Sequence, residues 1–128
     1  MILCDTNILI EFYKNNTAVV KALEEIGADD LALSVITQAE LYVGARNKTE
    51  LQQIRRHLSL LTVLHVTRPI SETFLELMEA YALSHSLSIP DGLIAATALQ
   101  HQLSLYTLNR KDFRFIPNLS LYSHTPAS

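Results

Sequence analysis

Met1-Ile2-Leu3-Cys4-Asp5-Thr6-Asn7 is the stretch on which the reading of the whole chain turns. Ile2, Leu3 and Cys4 are apolar without a break, whereas a strand with one wet face alternates. An unbroken run suits a short strand of a parallel sheet covered by helices on both faces. Asp5 then stands at the strand's carboxyl end, and open parallel α/β sheets bind ligands in the crevice outside those ends. A plainer role is also open: Asp5 or Asn7 caps the helix that Ile8-Leu9-Ile10 begins.

Working outward, apolar runs and helical periods alternate. Thr17 is expected to cap a helix carrying Val19, Val20, Leu23 and Ile26 and ending at Gly27. Asp29-Asp30 marks a turn, and Leu31-Ala32-Leu33 reads as a second buried strand. A helix is expected over 35–46, opened by Thr37 and carrying Glu40 in its first turn. Thr37-Gln38-Ala39-Glu40 fits the capping box, which gives Glu40 a structural role. Leu51, Ile54, Leu58 and Leu61 stripe the next helix, with Arg55, Arg56 and His57 on its other faces. Thr62 to Val66 reads as a third strand closed by a turn at Arg68-Pro69, and a helix follows to about Ser84. Ser88-Ile89-Pro90-Asp91-Gly92 leads into an alanine-rich helix suited to close packing, with Asp91 also readable as its cap. Leu103 to Thr107 and Leu119 to Tyr122 supply the fourth and fifth strands, and 124–128 reads as a loose tail.

A chain of 128 residues with 48% hydrophobic content forms one domain, 1–128, with ample material for a core. The net charge of −3 excludes coating nucleic acid by bulk electrostatics, so any such contact must be a local patch. Neither a bilayer-spanning run nor a signal-peptide pattern is present, so a soluble, cytoplasmic protein is expected. The single cysteine, Cys4, reads as a small core residue. His57, His65, His85, His101 and His124 are scattered and form no zinc-type set.

Short strands alternating with helices specify a parallel sheet with helices on both faces. Topology sends Asp5, Glu40 and Asp112 to the carboxyl edge. Asp91 opens the helix that feeds strand four, so it can join them there. Four carboxylates in one cleft repel by roughly 3 kcal/mol per pair at about 5 Å and an effective dielectric near 20. Oxygen-only ligands select a hard cation, Mg²⁺ or Mn²⁺, to offset this. Such a cation activates water and stabilises in-line displacement at phosphorus, which makes phosphodiester hydrolysis the natural reaction class.

Cys4 to Ile10, Thr37 to Leu41 with Gly44 and Ala45, Ile89 to Ala98, and Thr107 to Phe113 closely resemble, in order and over almost the whole chain, the motifs of PIN-domain ribonucleases. The nearest likeness is to the VapC-like toxins of toxin–antitoxin pairs. The resemblance implies a three-layer α/β/α sandwich whose five-stranded parallel sheet runs 3-2-1-4-5. It also implies a homodimer, Mg²⁺ or Mn²⁺ dependence, and RNA cleavage restrained by a cognate antitoxin. Asp5, Glu40 and Asp91 match the acidic triad, and Asp112 the more variable fourth acid. Thr6, Asn7, Thr107 and Asn109 stand within the motifs as supporting polar groups. Gly92 replaces the family's more usual Ala, a change expected to loosen the helix start. Arg46, Lys48, Arg55, Arg56, Arg110 and Lys111 are candidate RNA contacts. Two other readings are weighed. A receiver-like signalling domain would need an Asp after strand three, where Val66-Thr67-Arg68 stands, and a Lys after strand five, where Ser123-His124 stands. A PIN fold kept for binding alone would not need the intact acid set.

Overall fold

The computed structural model describes residues 1–124 and opens with the expected strand, β1 (Ile2–Cys4). Of the tail expected at 124–128, all but His124 lies outside the described residues. Asp5 caps α1 (Thr6–Tyr13), and Asn16, not Thr17, caps α2 (Thr17–Ile26) through the N–H of Val19. Gly27 closes α2 with φ of 87°, a conformation that favours glycine.

The next two elements correct the capping box. β2 (Leu31–Ser34) ends in the residue that caps α3 (Val35–Val43), because the Ser34 hydroxyl accepts from the N–H of Ile36 at 3.1 Å. Thr37 is therefore the third helical residue and fully buried, and Glu40 lies in the second turn. Nothing of a Thr37–Glu40 box remains. The helix also stops at Val43, short of the expected Arg46. Asn47 caps α4 (Lys48–Leu58), and β3 is only Thr62–Leu64, since His65 and Val66 already face solvent. Arg68 and Pro69 do not form a turn that closes β3. They are the first turn of α5 (Arg68–Tyr81), where Pro lacks only an N–H that has no helical partner, and Thr67 is the cap. Ser88 likewise caps α6 (Ile89–His101) through the N–H of Asp91 at 3.2 Å, so Asp91 is the third residue of the helix and not its cap.

With β4 (Ser104–Tyr106), the strands form a parallel sheet in the order β3-β2-β1-β4. The expected fifth strand is reduced to a single parallel bridge between Leu105 and Leu121. The Leu105 N–H donates to the Ser120 carbonyl and the Tyr122 N–H to the Leu105 carbonyl, both at 2.8 Å. The ladder stops there for a visible reason: the Tyr122 carbonyl, next in line, accepts from the Arg110 guanidinium at 3.2 Å.

Alternate strand residues enter opposite layers. Leu3, Ala32 and Leu105 pack with Ile70 and Leu77 of α5 and with Ile94, Ala95 and Ala98 of α6. Cys4, Leu31, Leu33 and Tyr106 pack with Ile8, Leu9, Val19, Leu23, Leu41 and Leu58 of α1 to α4. Burial on both faces explains the uninterrupted apolar runs. Burial also pushes the Cys4 thiol up to about 12, as expected of a core residue.

Candidate active site

Asp5 leaves β1 in extended geometry and is only 5% exposed. Its two oxygens are satisfied separately: Oδ1 accepts from the Thr6 N–H at 2.8 Å, and Oδ2 from the Thr107 hydroxyl at 2.8 Å. Thr107, just past β4, also accepts from Asn7 Nδ2 at 3.5 Å and from the Asn109 N–H at 3.1 Å. The Asn7 side-chain oxygen in turn accepts from the Leu108 N–H at 3.3 Å. Residues singled out from sequence as supporting groups thus form a polar clasp joining the ends of the adjacent strands β1 and β4. Replacing Thr107 by Val is expected to destabilise the protein at pH 7 by about 1–3 kcal/mol, because a buried carboxylate loses a charge-assisted bond. That bond holds the Asp5 pKa down against burial, which raises it; without it the raised pKa climbs further. The deficit should therefore shrink as pH falls and Asp5 protonates, as urea unfolding at pH 7 and pH 4 would measure.

Glu40 is brought in from α3 by Thr6, whose hydroxyl donates to Oε1 at 2.7 Å and stands 3.1 Å from the buried Thr37 hydroxyl. Thr37, read from sequence as a cap, belongs to this network instead. Its signal was its position three residues before Glu40, which suits a capping box and a shared helix face equally.

Asp91, in the first turn of α6, is half-buried. Its carboxyl is pushed up to about 6, first by burial and then by the charges of Asp5, Asp112 and Glu40, against a lowering bond at Ser88. Asp5 is raised as well, first by burial and further by Glu40 and Asp112. Asp112 lies in a single 3₁₀ turn (Arg110–Asp112) after β4. All four acids therefore share one electrostatic field, which they reach from four separate segments. None of them takes part in an ion pair among the described residues. Nor do three Asp, Glu, His or Cys side chains there already stand as an ion's coordination shell. An oxygen-only donor set in which Asp5 and Asp91 are raised by burial and like charge, and which has no ion-paired cationic partner among the described residues, fits a hard divalent cation.

The candidate RNA contacts divide. Arg46 is paired with Glu50 at 2.8 Å on the first turn of α4. Arg110 is tied to the Tyr122 carbonyl and the Ser123 hydroxyl, both at 3.2 Å, and so is committed to the C-terminal segment. Lys48, Arg55, Arg56 and Lys111 are exposed.

A groove of about 560 Å³, not foreseen from the sequence, runs from Glu40 between α1, α3 and α4, over Ile10, Tyr13, Leu41 and Ile54. The exposed apolar Ile10 and Tyr13 of α1 were its only sequence signal. At its α1 wall the Tyr13 hydroxyl is 2.9 Å from His57 Nδ1, and the imidazole stacks on Phe12. Burial lowers the His57 pKa and pushes the Tyr13 phenol up to about 12, so this contact is neutral at pH 7. No helix among the described residues is long and apolar enough to cross a membrane.

A sequence profile of the PIN domain matches residues 2–118. Toxin FitB of Neisseria gonorrhoeae is 33% identical over 127 residues, covering 88% of this chain and 91% of the relative. Ribonuclease VapC19 of Mycobacterium tuberculosis is 30% identical over 122 residues, covering 93% of this chain and 97% of the relative. Among solved structures, a toxin–antitoxin complex from Klebsiella pneumoniae superposes with a TM-score of 0.80 at 36% identity, over 93% of this chain and 95% of that one.

Proposed function

The chain belongs to the PIN-domain family, and from that premise we propose that it is the ribonuclease toxin of a toxin–antitoxin pair, hydrolysing RNA phosphodiester bonds with Mg²⁺ or Mn²⁺. The observation that carries the reading is the convergence of Asp5, Glu40, Asp91 and Asp112 on one field with no ion-paired cationic side chain among the described residues. Asp5, Glu40 and Asp91, with Asp112, would hold the cation. When bound, it supplies an activated water and neutralises charge building on the phosphate.

The chain's own residues prepare that site. The Thr6 N–H and the Thr107 hydroxyl each fix one oxygen of Asp5, leaving its other lone pairs free, while the Thr6 hydroxyl aims Glu40. Asp91, raised to about 6 by burial and its acidic neighbours while the site is metal-free, has that repulsion offset when the cation binds. Exposed Lys48, Arg55, Arg56 and Lys111 are side chains that can meet RNA phosphates, whereas Arg110 serves the fold. The partner of the likeness in Klebsiella pneumoniae is an antitoxin, and the unbalanced carboxylates suit neutralisation by an Arg or Lys of such a partner. The protein acts in the cytoplasm, as a homodimer.

Purified protein should cut a structured RNA in Mg²⁺ or Mn²⁺ and stop in chelator. Expressed alone it should arrest growth, and co-expression of the adjacent small DNA-binding partner should restore it. Cleavage that persists in chelator overturns the metal role, and harmless expression of active protein overturns the toxin role.

A further inference from the structure

Gly92 follows Asp91 in the first turn of α6 and is buried against α5. A Cβ built there would fall 2.9 Å from Met78 Sδ and 3.1 Å from both Phe74 Cδ1 and Cε1. Carbon at the first distance does not occur in real packing, so a methyl group would force the turn or the side chains to move. Phe74 and Met78 are one turn apart on α5, so together they form a single face beneath Gly92. On its other side the same turn is pinned by Ser88, whose carbonyl accepts from the Gly92 N–H at 2.8 Å and whose hydroxyl accepts from the Asp91 N–H at 3.2 Å. The expectation that glycine loosens the helix start is thus reversed: its missing side chain lets the turn seat closely.

We propose that Gly92 is a positioning residue, and that its close approach to Phe74 and Met78 sets how far α6 carries Asp91 toward Asp5 and Glu40. The inference rests on the metal-site reading above. The two contacts act in opposite directions: a methyl at 92 lifts the turn, while trimming Met78 lets it sink. Each change alone displaces Asp91, and together they largely compensate, because the new Cβ occupies part of the space that Sδ vacates and only its 3.1 Å approach to the Phe74 ring remains.

The test is a double-mutant cycle on Gly92→Ala and Met78→Ala in the full chain. Mn²⁺ affinity is read by calorimetry on the protein without RNA, and kcat and KM on a cleaved RNA. Each single variant should bind Mn²⁺ about tenfold more weakly, the scale found for groups that orient metal ligands. The loss should fall on kcat with KM held, and the double variant should return to near wild type. Should Gly92→Ala fail to fold, Met78→Ala and the double variant still give the comparison. Unchanged Mn²⁺ affinity in the singles, or losses that simply add in the double, overturns the positioning role alone. No Mn²⁺ response in the wild type overturns the metal-site reading, and this inference with it.

Discussion

Replacing Asp91 by asparagine should lower RNA cleavage by roughly a hundred- to a thousandfold, the cost of removing a group that meets charge at a reacting centre. The metal-free fold should remain as stable as before or slightly more so. Ser88 is the cap of α6, so the substitution leaves the helix start intact. What disappears is a carboxylate that burial and its acidic neighbours hold at about 6. An acid whose folded pKa exceeds its unfolded value of 3.8 binds its proton more tightly when folded, so stability falls as pH climbs from about 4 to about 6 and is level above. The shift of roughly two pKa units corresponds to at most about 3 kcal/mol. Because Asp91 is half-exposed, solvent screening reduces that to about 1 kcal/mol. Lost attraction to the helix N-terminus cancels about 0.5 kcal/mol more. Urea unfolding from pH 4 to pH 8 should show this slope flattened in Asp91→Asn. Cleavage within tenfold of wild type would reduce Asp91 to a bystander.

Mn²⁺ should raise the melting temperature by roughly 10 °C at pH 7.5, and by about half that at pH 5. Ligand at a hundred times its dissociation constant stabilises by about 2.7 kcal/mol, and a chain of this size gains about 3–5 °C per kcal/mol. Proton competition sets the pH dependence: below about 6 Asp91 carries its proton, and the raised pKa of Asp5 adds to the competition in the same direction. Each proton displaced weakens binding about tenfold per pH unit. Thermal melts with Mn²⁺ and then with chelator measure both. An equal rise at the two pH values would mean that the cation binds elsewhere.

The two central strands were legible because burial on both faces writes a nearly uninterrupted apolar run into the chain, and β1 and β2 read this way almost to the residue; β3, whose residues are only half-buried, was read too long. The acids were legible because parallel topology sends strand ends to one edge. Caps were less so. Ser34 and Ser88 do the work assigned to Thr37 and Asp91, since any of several small polar residues near a helix start satisfies the same pattern, and only the backbone chooses among them. Arg110 was unreadable for another reason: its partner is a carbonyl 12 residues away, and carbonyls carry no sequence signature. The seating of Gly92 depends on two side chains of α5 whose apolar character announced only that they are core.

The bond between Thr107 and Asp5 spans 102 positions of the chain. β1 lies in the middle of the sheet, between β2 and β4, yet it is the first strand to leave the ribosome. Until residue 107 has emerged, one whole edge of β1 is unpaired and Asp5 Oδ2 has no donor. Contacts of such separation close late. The clasp that fixes Asp5 is therefore absent from any growing chain that has not yet exposed residue 107, and the acidic centre is among the later parts of this domain to assemble.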